Sequence, residues 1–279
     1  MVKKFWNVLQ NIQFGLKHSN EVNIHKELDR LRKERIIQNE KNLAAHGFKV
    51  YSQNEEDGII QEIFHRIGVT NKTFVEFGIG TGLENNTLAL LFKDWKGLWI
   101  DASKQSVATV KKNFEKIIEN KQLKVVESFI TRDNINELIS SNISDKTIDL
   151  ISVDIDGNDY HILDAIICVK PRVIVIEYNA KFAPPIMYCM GYNETHTWDG
   201  SDHFGVSLKY LEVNLAKKGY KLVGCNLVGC NAFFVQEQLI NDKFQEEFTA
   251  EYHFEPARYY LGIFSSGHPA SYRTLINKL

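Results

Sequence analysis

The 279-residue sequence predicts an α/β fold. The expected architecture is a doubly wound, mostly parallel seven-stranded sheet with a terminal antiparallel hairpin, preceded by a helical N-terminal extension. Three observations predict it. From residue 47 onward, apolar runs of strand length alternate with helical periodicity, the pattern of right-handed β/α crossovers. The first run, Phe74-Val-Glu-Phe, leads into Gly78-Ile-Gly80-Thr-Gly82. Glycines just past a strand end let the backbone turn tightly and approach a ligand closely. Near the C-terminus, two β-compatible runs at 220–225 and 232–235 flank a glycine- and asparagine-rich turn at 226–231, a hairpin pattern.

Residues 1–46 form the helical extension. Phe5, Trp6, Leu9, Ile12 and Leu16 share one helical face. That face suits packing on the main domain or on a partner subunit ahead of contact with a membrane surface. Residues 20–46 read as a charged helix with Ile24, Leu28 and Leu31 at helical spacing. A homo-oligomer through these helices and a solvated helix lying across the core are both open readings. Ser52, with Glu55 three residues on, has a capping-box pattern ahead of the amphipathic stretch 59–64. Further strands are expected at 97–101, 123–126, 148–154 and 172–177. Crossover helices are expected at 87–92, 107–118, 134–140 and 160–169.

Residues 179–206 include Pro184-Pro185 and several aromatics without periodicity. A structureless loop of this length reads as the lid or wall of an acceptor site. A helix over 207–218 precedes the hairpin. The main domain thus spans 47–240, and 241–279 is read as a tail packed on it. Its stretches 254–258 and 265–268 carry no chemical reading.

A net charge of −2 gives no basic field for nucleic acid. The four cysteines contain no Cys-x-x-Cys pair, which argues against a zinc site and a disulfide framework and suits a reduced cytoplasm. No apolar run reaches membrane-spanning length, and the N-terminus lacks a signal-peptide core.

Glu76 ends the first strand, where a carboxylate suits a cationic ligand and would repel a pyrophosphate. A Gly-x-Gly-x-x-Gly frame would place Leu83 at its third glycine, against a dinucleotide fingerprint. Asp101 ends the second strand 25 positions later and can accept both hydroxyl hydrogen bonds of a ribose. Asp154, Asp156 and Asp159 crowd the mouth of the fourth strand, and Glu177 and Asn179 that of the fifth. Like charges gathered there call for a cation, and hard cations such as Mg²⁺ take oxygen ligands. Asp156-Gly-Asn158 is also a good turn sequence, and Asp159 a helix cap. His203, on the acceptor loop, is the preferred proton acceptor, with His161 second. Tyr178, Tyr192 and Trp198 are candidates for stacking on a sugar face.

The run Glu76-x-Gly78-x-Gly80-x-Gly82 resembles the first motif of class I S-adenosylmethionine-dependent methyltransferases, and the terminal hairpin resembles their topology. The acids after the fourth and fifth strands are similar to those of metal-dependent O-methyltransferases of the catechol type, although Gly157 stands where that family has its lysine base. Ser52-Gln53, Phe74-Val-Glu-Phe-Gly78, Glu84-Asn-Asn-Thr87, Asp154-Ile-Asp-Gly157 and Val175-Ile-Glu-Tyr-Asn179 together look like an FkbM-type methyltransferase over roughly 50–236. Common members carry Val-Glu-Gly after the first acid of the fourth-strand motif, and here Ile155-Asp156-Gly157 stands there.

The resemblance implies O-methylation of a small-molecule sugar or sugar-nucleotide, for a bacterial surface polysaccharide or glycoconjugate. Glu76, the Gly78–Gly82 backbone and Asn86 would hold the amino-acid part of S-adenosylmethionine, Asp101 its ribose, and Ser128 and Phe129 would lie near its adenine, with Asp154 alongside. Asp154, Glu177 and Asn179 would bind Mg²⁺ or Mn²⁺, and His203 and Asp156 would be catalytic. The rival readings are an NAD(P)-dependent oxidoreductase and a non-catalytic scaffold of the same fold.

Overall fold

A computed structural model describes residues 2–262 and Tyr272. Seven strands form one sheet in the order β3-β2-β1-β4-β5-β7-β6. They are β1 (Thr73–Phe77), β2 (Lys96–Asp101), β3 (Leu123–Glu127), β4 (Thr147–Val153), β5 (Lys170–Glu177), β6 (Tyr220–Cys225) and β7 (Asn231–Gln236). The first five pair in parallel, and β7 runs antiparallel between β5 and β6. The expected doubly wound sheet with a terminal hairpin is therefore present.

Helices cover both faces. The described helices are α1 (Val2–Gln38), α2 (Glu56–Ile67), α3 (Leu88–Leu91), α4 (Lys104–Asn113), α5 (Glu115–Glu119), α6 (Ile135–Ser140), α7 (Asp159–Ala165), α8 (Leu208–Lys217) and α9 (Ala250–His253). On one face Ile59 and Ile63 of α2 and Val110 of α4 pack on Phe74, Trp99 and Leu150. On the other, Ile135 and Ile139 of α6, Ile162 of α7 and Leu211 of α8 pack on Val75, Ile151 and Ile174. Strands sandwiched this way are apolar on both sides, which is why β4 and β5 read as near-continuous apolar runs.

Strand order reverses between β1 and β4, since β2 and β3 lie to one side and β5 to the other. The crevice outside the carboxyl ends of the strands at such a switch point is where open α/β sheets bind ligands.

Several local expectations are corrected. The N-terminal helix ends at Gln38 rather than 46, and a separate turn at Leu43–His46 is capped by the Asn42 side chain. The apolar face including Trp6, Ile12 and Leu16 does not pack on the domain, because α1 docks only from Ile24 onward. The Ser52 capping partner is Asp57, not Glu55. Ser52 Oγ accepts the Asp57 N–H at 3.1 Å, while Asp57 Oδ2 accepts the N–H groups of Val50, Tyr51 and Ser52. The stretch 265–268 lies outside the described residues. Before it, the chain meets the domain through Glu255, whose carboxylate binds Arg35 and Arg258 and whose carbonyl accepts the Tyr178 hydroxyl. No described helix is long and apolar enough to cross a membrane.

Candidate functional site

A cavity of about 840 Å³ opens at the switch point. Gly78 and Gly80 form one wall, Asp101, Ser128 and Phe129 the side toward β2 and β3, and Asp154, Asp156 and Glu177 the floor toward β4 and β5. His196 and Trp198 of the long loop, with Tyr259, close the outer side.

All three motif glycines have positive φ, at 72° for Gly78, 49° for Gly80 and 79° for Gly82. Gly78 abuts the Asp154 carbonyl oxygen, so a side chain there has no room. Asp101 orders the same loop. Its Oδ2 accepts the Gly80 N–H at 2.9 Å and its Oδ1 the Ser103 N–H at 2.7 Å. Each oxygen retains a lone pair, and the half-buried side chain lines the cavity. Ser128 is held by its N–H to the Asp101 carbonyl, and the Phe129 ring is partly open to solvent.

Glu76 is engaged differently from the expectation. It is buried, and its carboxylate accepts the Asn86 N–H at 2.9 Å, the Thr87 N–H at 3.2 Å, the Asn85 Nδ2–H at 3.2 Å and a short bond from the Thr87 hydroxyl. Three of these donors converge on Oε2, and Oε1 takes the Asn86 N–H. Burial raises its pKa despite them. Glu76 therefore builds the 85–87 turn. Asn86 is likewise committed, its Nδ2 donating to Ser152 Oγ at 3.0 Å. Both face a side chamber of about 180 Å³, and Asp154 and the exposed Glu84 line this chamber and the main cavity alike.

Three acids meet at the floor, with Asp154 and Glu177 lining the cavity and Asp159 fully buried behind them. Carboxylate atoms of Asp154, Asp159 and Glu177 lie within 4.8 Å of one another. Asp159 accepts the Ile155 and Gly157 N–H groups at 2.7 and 2.8 Å, which folds the 155–158 loop around it. One oxygen of Glu177, Oε2, is buried without a hydrogen-bond partner. Burial, then mutual repulsion, pushes Asp154 and Glu177 well above the usual carboxylate range. Burial lifts Asp159 to about 6. An orphaned buried oxygen among three oxygen donors fits a hard divalent cation.

Asn179 does not belong to this cluster. It is fully buried, and its Nδ2 donates to the carbonyls of Asp202 and Phe204 at 2.9 and 3.0 Å, while its Oδ1 accepts the Lys181 N–H. Its amide is spent on tying the long loop, and Asp159 takes the place expected for it. Asp159 Oδ atoms bind the preceding loop, so it is not simply a helix cap.

His203 is exposed, bonded through Nδ1 to the Tyr188 hydroxyl at 3.1 Å, and does not line the cavity. His161 is also outside, with Nε2 on the Met190 carbonyl at 2.7 Å. The histidine at the cavity is His196, whose Nε2 lies 3.1 Å from the Asp156 carbonyl. Asp156 itself lines the cavity in a left-handed turn at φ 56°, its pKa raised by burial against the opposing pull of His196. Of the aromatic candidates, only Trp198 lines the cavity. Tyr178 is a core residue, and Tyr192 packs under Arg132.

No protein-family model matches the chain, and no curated protein matches it in sequence. Among solved structures it is similar to a Staphylococcus aureus protein provisionally assigned as a caffeoyl-CoA O-methyltransferase, at 14% identity and a TM-score of 0.47, covering 79% of this chain and 99% of that one. It is also similar to M. capricolum TrmK in complex with S-adenosyl-homocysteine, at 13% identity and 0.41, covering 70% and 74%. A third is WbdD, at 16% and 0.41, covering 68% and 40%. Identities this low bear on fold alone, and a fold of this class serves many chemistries.

Proposed function

We propose that the chain is an S-adenosylmethionine-dependent O-methyltransferase acting on a hydroxyl of a sugar or sugar-nucleotide, the class of acceptor expected for a bacterial surface polysaccharide or glycoconjugate. One observation carries this reading: Asp101 and the positive-φ glycine loop share a single cavity with Asp154 and Glu177, whose carboxylates cluster with that of the buried Asp159. A ribose-binding carboxylate beside a cation-seeking floor suits a sulfonium nucleoside next to an acceptor hydroxyl. A nicotinamide dinucleotide explains Asp101 but gives the three acids no task.

The roles follow from position. Asp101 has lone pairs for the ribose hydroxyls, and Phe129 offers a face for the adenine. Glu84 is the exposed carboxylate for the cofactor's amino group. Asp154, Asp159 and Glu177 would hold Mg²⁺ or Mn²⁺, which when bound lowers the pKa of a coordinated hydroxyl. In the transfer, the acceptor oxygen forms a bond to the methyl carbon as the carbon–sulfur bond breaks, and S-adenosylhomocysteine leaves. The acceptor proton passes to His196. The Asp156 carbonyl accepts from Nε2–H, which fixes the tautomer and leaves the Nδ1 lone pair as the base. Holding both reactants in one cavity supplies much of the rate. Trp198 supports a sugar face.

Isothermal titration with S-adenosylhomocysteine and NAD, each with and without Mn²⁺, tests the reading. Binding of the sulfur nucleoside but not NAD is expected, weakened at least tenfold in Asp101→Ala. A Mn²⁺ heat lost in Glu177→Gln is expected for the metal. Binding of NAD alone overturns the reading, and binding of neither points to a non-catalytic scaffold.

A further inference from the structure

The first half of α1 stands clear of the fold. Residues 12–20 are exposed without exception, and the first buried side chain among the described residues of this helix is Ile24. Trp6 is 59% exposed, Ile12 53%, Phe14 74% and Leu16 67%. At 1.5 Å per residue the free part extends roughly 30 Å. Large apolar side chains concentrated on one unpartnered element mark an interaction surface rather than ordinary scatter.

The charge of this segment selects the partner. Lys3, Lys4 and Lys17 fall within the first twenty residues, which contain no Asp or Glu, although the whole chain is net negative at −2. Two copies of the segment packed together would gather six lysines with no carboxylate between them. A helix with exposed Trp, Ile and Leu, cationic and without acids, instead has the composition of an element that lies in a bilayer interface. We propose that residues 2–20 of α1 dock on an anionic lipid surface, with Trp6, Ile12 and Leu16 entering the headgroup boundary and the lysines meeting lipid phosphates. No described helix crosses a membrane, so this attachment is peripheral and reversible.

Vesicle flotation of the full chain tests this, using phosphatidylcholine alone and phosphatidylcholine with about one-third phosphatidylglycerol. The wild type is expected to float with the anionic vesicles and at least tenfold less with the neutral ones. Raising salt from about 0.1 M to about 1 M should release it as the screening length falls from about 10 Å to about 3 Å. Ile12→Glu/Leu16→Glu and, separately, Lys3→Gln/Lys4→Gln/Lys17→Gln should each lose binding at least tenfold with an unchanged thermal unfolding midpoint. Failure of the wild type to float overturns the proposal, as does equal floating of wild type and both variants. A dimer in sedimentation velocity that Ile12→Glu/Leu16→Glu dissociates, with no flotation, would assign the surface to a second copy instead.

Discussion

The carbonyl oxygen of Asp154 fills the space that a side chain on Gly78 would need. A Cβ built on Gly78 would stand 1.6 Å from that oxygen, whereas one on Gly80 would meet nothing within 4 Å. The two strand ends that form the switch point are thus in backbone contact. Gly78→Ala must push the β4 exit away from β1 and should cost at least about 3 kcal/mol. Gly80→Ala bears only the strain of positive φ and should cost about 1 kcal/mol. Urea unfolding of both variants checks this, and equal costs would show that the contact is not what excludes a side chain.

Exchange of His196 separates the two loop histidines. His196→Gln should lower kcat by about a hundredfold or more, the scale of a lost general base. His203→Gln removes only a surface bond to Tyr188 and should stay within about twofold. Steady-state methyl transfer at saturating cofactor measures both, and the opposite order would return the proton to His203.

At the far end of the sheet, Asp149 is fully buried and accepts the N–H groups of Thr70, Asn71 and Lys72 together with Arg172 Nη1–H at 2.6 Å. Burial opposes ionisation, but Arg172 and these donors outweigh it and hold the carboxyl below its ordinary value. Arg172→Met leaves that charge buried without its counter-ion and should cost about 3–5 kcal/mol. Chemical denaturation measures it. A loss below about 1 kcal/mol would mean that the three backbone donors and the Thr70 hydroxyl, which donates to Asp149 at 2.8 Å, suffice without Arg172.

His253 makes stability depend on pH. It is buried against the Glu247 carbonyl, and burial lowers its pKa to about 4. The unfolded chain therefore takes up a proton first as pH falls. Its stabilising contribution is complete above pH about 6.5 and is lost progressively between about 6.5 and 4, up to about 3 kcal/mol. His253→Gln should flatten this part of the stability curve, as measured by unfolding midpoints across that range. An unchanged slope would locate the acid sensitivity elsewhere.

The sheet, the glycine turn and Asp101 were legible because their signals are local. A strand end followed by glycines, and an acid at the next strand end, are read along a few consecutive residues. The floor was only half legible. Which acid turns inward depends on the 155–158 backbone, where Asp156 adopts positive φ and Asp159 gathers the loop amides. No periodicity announces that. His196 escaped for a related reason. Its position is set by long-range bonds, the Asn158 amide to the Asn193 carbonyl at 2.7 Å and Asn179 to Asp202, which no sequence spacing predicts. Glu76 was correctly placed at the strand end, but its engagement by the 85–87 turn is visible only in three dimensions.

The long loop is anchored at its base. Asn179 holds the carbonyls of Asp202 and Phe204, Ser207 Oγ donates to the Ile186 carbonyl at 2.9 Å, Cys189 bridges to Val206, and Asn193 is fixed to Asn158. Beyond these anchors the stretch 194–201 carries His196 and Trp198 to the cavity and touches the sheet side only through His196 Nε2 at the Asp156 carbonyl among the described bonds. Changes there that keep His196 would reshape the outer wall of the cavity while leaving the sheet and the acid cluster beneath it untouched.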